Sequence, residues 1–259
     1  MRTRKKVQLA LLAAVALAAV STLATLNGHG QNARKKTRVV ALRPEGQVAQ
    51  AAPDEATLPV TDFNAPKATN AGRKAKGARY KNRLPMAIDP EGNDMPASST
   101  AHWWVGLSPL PADKSDAVVV GEVGDARAFL NDDNTGVYSE FAIKVVQTLK
   151  DDAASPLAGV VTGERVGGAV KFANGRTRAF RLNAMGFPRV GGRYVLFLQR
   201  NPDGQDYTIL TGYELRGGRV FALDGNKKSR FGAFDGTDEA AFLNEVRAAI
   251  AQAPQTSRK

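Results

Sequence analysis

Apolar positions along the chain fall into three regimes. Residues 7–33 carry no charge, and residues 9–26 form their apolar heart, rich in Ala, Leu and Val. From residue 27 to about 111, no apolar periodicity lasts longer than four or five residues. From Ser115 onward the pattern is that of strands.

Residues 117–123 are short, apolar and β-branched, which predicts a strand. Residues 138–149 alternate, with Phe141, Ile143, Val145 and Leu149 on one face and Glu140, Lys144 and Thr148 on the other. Asn131-Asp132-Asp133-Asn134-Thr135-Gly136 between them is turn chemistry. Residues 165–173 and 176–182 flank Asn174-Gly175, which predicts a hairpin with a type I′ turn. Residues 193–198 are apolar on both faces and predict a central strand covered on both sides. Turns at Pro202-Asp203-Gly204 and Gly217-Gly218 lead into strands over 207–215 and 220–223. Phe242, Val246 and Ile250 recur every four residues beside Leu243, so a helix closes the domain. Thr237 or Asp235 is its expected cap, and Asp238 and Glu239 suit its positive end. The fold expected is mainly β: a small antiparallel OB-like barrel, or alternatively a seven-strand β-sandwich, with one C-terminal helix. An N-terminal apolar helix and a disordered linker are expected before it. The divisions read this way are 1–26, 27–112, 113–252 and a frayed tail over 253–259.

The apolar opening lies behind Arg2, Arg4, Lys5 and Lys6, which is the pattern of an export signal. Ala19 with Ser21, or Thr22 with Ala24, would serve as a small-x-small cleavage site. The other reading is an uncleaved anchor over residues 7–26, since about 20 apolar residues span a bilayer. The expected location is therefore periplasmic or extracellular, or alternatively outside the cytoplasmic membrane on that anchor.

Charge changes the picture of the middle segment. The whole chain carries a net +11. Residues 1–112 hold 16 Lys and Arg against 7 Asp and Glu, and residues 113–259 hold 20 against 18. The basic excess belongs to the leader and linker, so specific nucleic-acid binding by the folded part is not expected. The linker's densest basic stretch, Arg73, Lys74, Lys76, Arg79, Lys81 and Arg83, is a candidate for contact with a membrane surface or an anionic envelope polymer. Its plainer reading is a solvated, self-repelling spacer. Trp103-Trp104, after His102, suits sugar stacking, a membrane interface or the covering of a domain edge.

Chemistry is sparse. The chain has no Cys and two His, which excludes disulfides, thiolate zinc sites, thiol catalysis and multi-His metal centres. It has no nucleophile elbow, zincin helix, Walker loop or dinucleotide fingerprint. Asp132-Asp133 and Asp151-Asp152 are acids in loops, and an unrecognised hydrolase built on them is the weaker alternative. Lys171, Arg176 and Arg178 would form a basic patch if the hairpin put them on one face. No catalytic, cofactor-binding or metal-binding residue is assigned, and a non-enzymatic module with an envelope protein or polymer as partner is expected.

The runs Ser115-Asp116-Ala117-Val118-Val119-Val120-Gly121-Glu122-Val123 and Arg193-Tyr194-Val195-Leu196-Phe197-Leu198 carry a resemblance, together with the strand ending Thr148-Leu149-Lys150 and the terminal helix. In their chain order they resemble the netrin-like, metalloproteinase-inhibitor-like OB-fold modules over about residues 113–250. The resemblance implies a small helix-covered barrel used for binding. Inhibitory members of that family use an amino-terminal cysteine and disulfides, which this chain lacks, so the scaffold alone carries over.

Overall fold

The computed structural model describes residues 58–83, 88–89, 106–152, 156–204, 206–225 and 229–254. The apolar opening, the tryptophan pair and His102 lie outside these residues.

The protein is mainly β. Its strands are β1 (Val60–Asp62), β2 (Ala117–Leu130), β3 (Val137–Lys150), β4 (Val160–Val166), β5 (Gly168–Lys171), β6 (Thr177–Phe180), β7 (Arg193–Arg200), β8 (Tyr207–Arg216) and β9 (Arg219–Ala222). Helix α1 covers Ala71–Arg79 and helix α2 covers Glu239–Gln252. Six strands form one sheet in the order β4-β3-β2-β7-β8-β9, and its neighbouring pairs are antiparallel. β4 also pairs with β8 in parallel, Gly163 beside Tyr207 and Glu164 beside Thr208. That pairing bends β4-β3-β2-β7-β8 into a partly closed ring, as expected of an OB-like barrel and unlike two stacked sheets. β5, β6 and β1 make a separate three-stranded sheet.

The seam is tight. A Cβ on Gly163 would come within 2.7 Å of Ile143 Cδ1 and 2.8 Å of Ile209 Cγ1, so only a bare backbone fits where β4 meets β8. β2 has the length to pair with both β3 and β7, and three register shifts against β3 bend it around the ring.

Alternation sorts the apolar residues into two cores. Val119, Val123, Phe141, Ile143, Leu196, Leu198 and Ile209 belong to the cluster enclosed by the ring. Val118, Val120, Val195, Phe197 and Tyr213 point the other way, onto Phe242 and Val246 of α2 and onto Phe231 of the short 3₁₀ turn Arg230–Phe234. β7 feeds both cores, which is why its sequence is apolar on both faces. Asp238 caps α2 by accepting from Ala240 N and Ala241 N. The expected caps have other work: Asp235 accepts from Ala222 N, and the Thr237 carbonyl accepts from Val220 N.

Three sequence expectations change in detail. The strand expected over 165–173 is two strands in different sheets, because Gly167 adopts φ 105° and Gly168 φ 152°, values that redirect the chain. At Asn174-Gly175 only Gly175 has positive φ, and Gly175 N donates to the Phe172 carbonyl. The hairpin therefore turns through a type I turn and a left-handed glycine; the paired positive angles lie at Gly217-Gly218.

The third change concerns the segment read as a linker. Residues 58–83 contribute β1, parallel to β5, and α1, capped by Asn70. Leu58, Tyr80, Ile88 and Ala112 are buried as well. Periodicity misses them because β1 has three residues and α1 is held by ions rather than by an apolar stripe.

Candidate functional site

The chemically distinctive region is the outer face of β3 and β4 with α1 lying on it. Glu140 of β3 stands directly opposite Glu164 of β4. Since Phe141 and Gly163 turn inward at the neighbouring positions, the two carboxylates face outward together. The β2–β3 connection adds Asp133, and the β7–β8 connection adds Asp203 and Asp206. Five carboxylates from four segments thus converge on one surface.

α1 supplies the counter-charges. Arg73, Lys76 and Arg79 recur every three residues and share a helix face. Arg73 pairs with Glu140, and its guanidinium lies 4.0 Å over the Phe129 ring. Lys76 lies 3.2 Å from Glu140 and 3.5 Å from Glu164, and also pairs with Asp206. Arg79 donates to both oxygens of Glu164 at 3.0 and 2.9 Å and pairs with Asp203. Beyond the helix, Lys81 meets Asp133 at 2.8 Å. Tyr80 stacks on Tyr138 with ring centroids 4.5 Å apart and donates to Glu164 at 2.6 Å.

Glu164 is fully buried and accepts from Arg79, Tyr80 and Asn201. A buried carboxylate is tolerated only with such a set of donors. Burial acts to lower the Lys76 ammonium, but Asp206 and Glu140 overcome it and hold the group above its ordinary value. Burial, then the Glu164 charge, pushes the Tyr80 phenol far up. Lys81, then Thr135, holds the exposed Asp133 carboxyl down at about 2. The shifts favour the protonated form of Arg73, Lys76, Arg79 and Lys81, the ionised form of Asp133 and the neutral form of Tyr80.

Of the basic residues singled out in the sequence, Arg73, Lys76, Arg79 and Lys81 are engaged by carboxylates of their own chain. Lys74 and Arg83 are exposed. The structure does not bring Lys171 and Arg178 onto one face: Lys171 pairs with Thr177 and Arg178 with Val170, and successive strand positions face opposite ways. Arg176 lies in the turn. Asp151 accepts from Asp152 N and Leu157 N, so it organises its own loop.

Sequence reasoning missed Glu140, Glu164, Asp203 and Asp206 as a group. The available signal was a carboxylate at matching outward positions of consecutive strands, facing a basic stretch with Asn70 at a cap position. It also missed a second buried pair. Arg165 and Asp224, both fully inside, bond in a bidentate fork at 2.5 and 2.7 Å, and Thr211 Oγ1 and Gly186 N donate to Asp224. Among the described residues no three His, Cys, Asp or Glu side chains form a metal-ligand group, and no helix is long and apolar enough to cross a membrane.

No family model, curated protein or solved structure matches the chain.

Proposed function

We propose that this protein is an exported, non-enzymatic interaction module of the cell envelope, with the β3–β4 face of its barrel as the binding surface. In five-stranded OB barrels, ligands lie on the second and third strands and on the loops joining strands one to two and four to five. Here those parts are β3, β4, the connection holding Asp133 and the connection holding Asp203 and Asp206. The observation that carries the reading is that α1, with Lys81 just past its end, touches all four of them.

The chemistry of the face narrows the partner. With α1 off it, a surface carrying Glu140, Glu164, Asp203 and Asp206 repels nucleic acid and anionic polymers and favours a cationic partner. Fixed ion pairs at each carboxylate favour recognition over acid–base catalysis, which needs a group free to change its protonation. The netrin-like resemblance agrees with a binding role, and the basic, apolar opening of the chain agrees with export. Attachment of the basic stretch to anionic lipid, the other reading of these cations, would require them to leave their partners on the barrel.

The test is site-specific photo-crosslinking in cells, with the crosslinking residue at Asp203 on the face or at Arg247 on α2. Expected are adducts from position 203 alone, on a protein recovered outside the cytoplasm with a new terminus near residues 20–30. Identical adducts from both positions, or an intact Met1 in the cytosol, would remove the reading.

A further inference from the structure

We propose that the acidic face is a receptor site for a cationic helix of another polypeptide, and that α1 is its resident occupant in cis. The inference rests on the reading of this face as the binding surface and names the chemistry of what it takes.

α1 has little of its own to hold it in place. It is nine residues long and includes Gly72 and Gly77. Helices so short do not persist in water without tertiary contacts. Neither apolar cluster includes a residue of α1. Its anchors are the ions Arg73, Lys76 and Arg79 with Tyr80 behind them, and Arg73 and Arg79 keep part of their side chains in water. The outer pairs, such as Arg79 with Asp203, are screened by salt, whereas those of Lys76 and Arg79 with the buried Glu164 are screened much less. Since neither core includes it, the helix can leave at the cost of those pairs while both cores stay closed.

The face it would leave cannot stay empty at low cost. Glu140 and Glu164 are directly opposed across the ladder, and like charges in that position repel. Glu164 also loses the phenol and guanidinium that now compensate its burial. The vacancy selects a cation-rich occupant, and the fit of α1 specifies it. It takes bases at three successive positions three residues apart, on the Glu140 and Glu164 side. One residue after the central base it takes a small side chain, since a Cβ on Gly77 would meet Asn131 Cα and Cβ at 3.4 Å. An aromatic hydroxyl follows to stack on Tyr138.

A second copy of the chain is not the favoured source. Its α1 would make the same contacts and would compete with a helix already tethered at an effective concentration on the order of millimolar. A displacing helix must bind better than α1, as a cationic segment without its glycines would.

The probe is a labelled peptide of residues 66–83, titrated by anisotropy into full-length protein carrying Lys76→Glu with Arg79→Glu. A second variant, Gly77→Leu, keeps every charge and leaves the face itself unaltered, but drives a side chain into Asn131, whose Cα and Cβ a Cβ at this position would already meet at 3.4 Å, so it also unseats α1. Expected is saturable one-to-one binding to both variants, about tenfold or more tighter than to wild type. It should weaken steeply with salt and be absent for a peptide with Glu at positions 73, 76 and 79. In wild type, amides of α1 should exchange with solvent far faster than those of Leu196 in β7.

Absence of binding to folded variants would overturn the proposal, as would unfolding of both variants or α1 amides exchanging no faster than β7. A wild-type dimer dissolved by the peptide would overturn the assignment to another polypeptide in favour of a second copy. If the peptide fails while crosslinks at position 203 persist, the ligand class falls and the binding surface stands; loss of both removes the surface.

Discussion

Glu140 and Glu164 face each other across the β3–β4 ladder, and Lys76 reaches both, at 3.2 Å and 3.5 Å. One ammonium thus screens two like charges that the strand register forces together. Lys76→Met leaves that repulsion in place, with the Tyr80–Tyr138 stack at the helix end as the main apolar contact holding α1. We expect tryptic cleavage after Arg79 and Lys81 to accelerate about tenfold, equivalent to about 1.4 kcal/mol of opening free energy. Adding Glu140→Gln should restore part of the protection, and an unchanged cleavage rate in Lys76→Met would show that ions do not hold α1.

The Arg165–Asp224 pair should respond differently because it is fully enclosed. Asp224→Ala strands a buried guanidinium and should cost about 3–5 kcal/mol in denaturant unfolding. The double variant Arg165→Met with Asp224→Leu should recover much of that loss. Equal losses in the single and double variants would mean that the pair is worth far more than its desolvation.

All five tyrosines, Tyr80, Tyr138, Tyr194, Tyr207 and Tyr213, have phenols raised above their ordinary value, with burial the leading cause in each. A raised folded-state value means that folding favours the neutral phenol. The contribution is complete below about pH 10, the unfolded value, and is lost as pH rises beyond it. Phenolate absorbance should stay low until the barrel unfolds in base, then appear together with the loss of near-ultraviolet dichroism. Phenols that titrate near pH 10 in folded protein would contradict this.

Closure of the ring depends on the missing side chain at residue 163. Gly163→Val should force Ile143 and Ile209 apart and cost about 1–3 kcal/mol, lowering the denaturation midpoint. Gly159→Val, where a Cβ meets nothing within 4 Å, is the control and should change little.

Much of the barrel was legible in the chain because its elements declare themselves locally. The two-faced apolar run of β7, the alternation of β3, the turn at 131–136 and the stripe of α2 each arise from neighbours in sequence. What stayed hidden arises from distance. The parallel β4–β8 pairing, the Arg165–Asp224 pair and the set around Glu164 bring together residues that no periodicity links. α1 was hidden for a further reason. Its cations have the composition of a solvated spacer, and the carboxylates that order them lie in strands that read as ordinary polar faces. Charge complementarity between segments leaves no periodic trace in either one.

The parallel pairing of Val60 with Ala169 spans more than a hundred residues of chain. Loop-closure entropy makes such a contact late, because the hairpins of the ring close far shorter loops. Synthesis runs the other way, since β1 and α1 emerge before any strand of the barrel exists. The earliest part of the described chain to leave the ribosome is therefore the last to find its place. Until Glu140, Glu164 and Asp206 have been made and folded, its arginines and lysines travel unpaired, open to whatever acidic surface or helper protein they meet first.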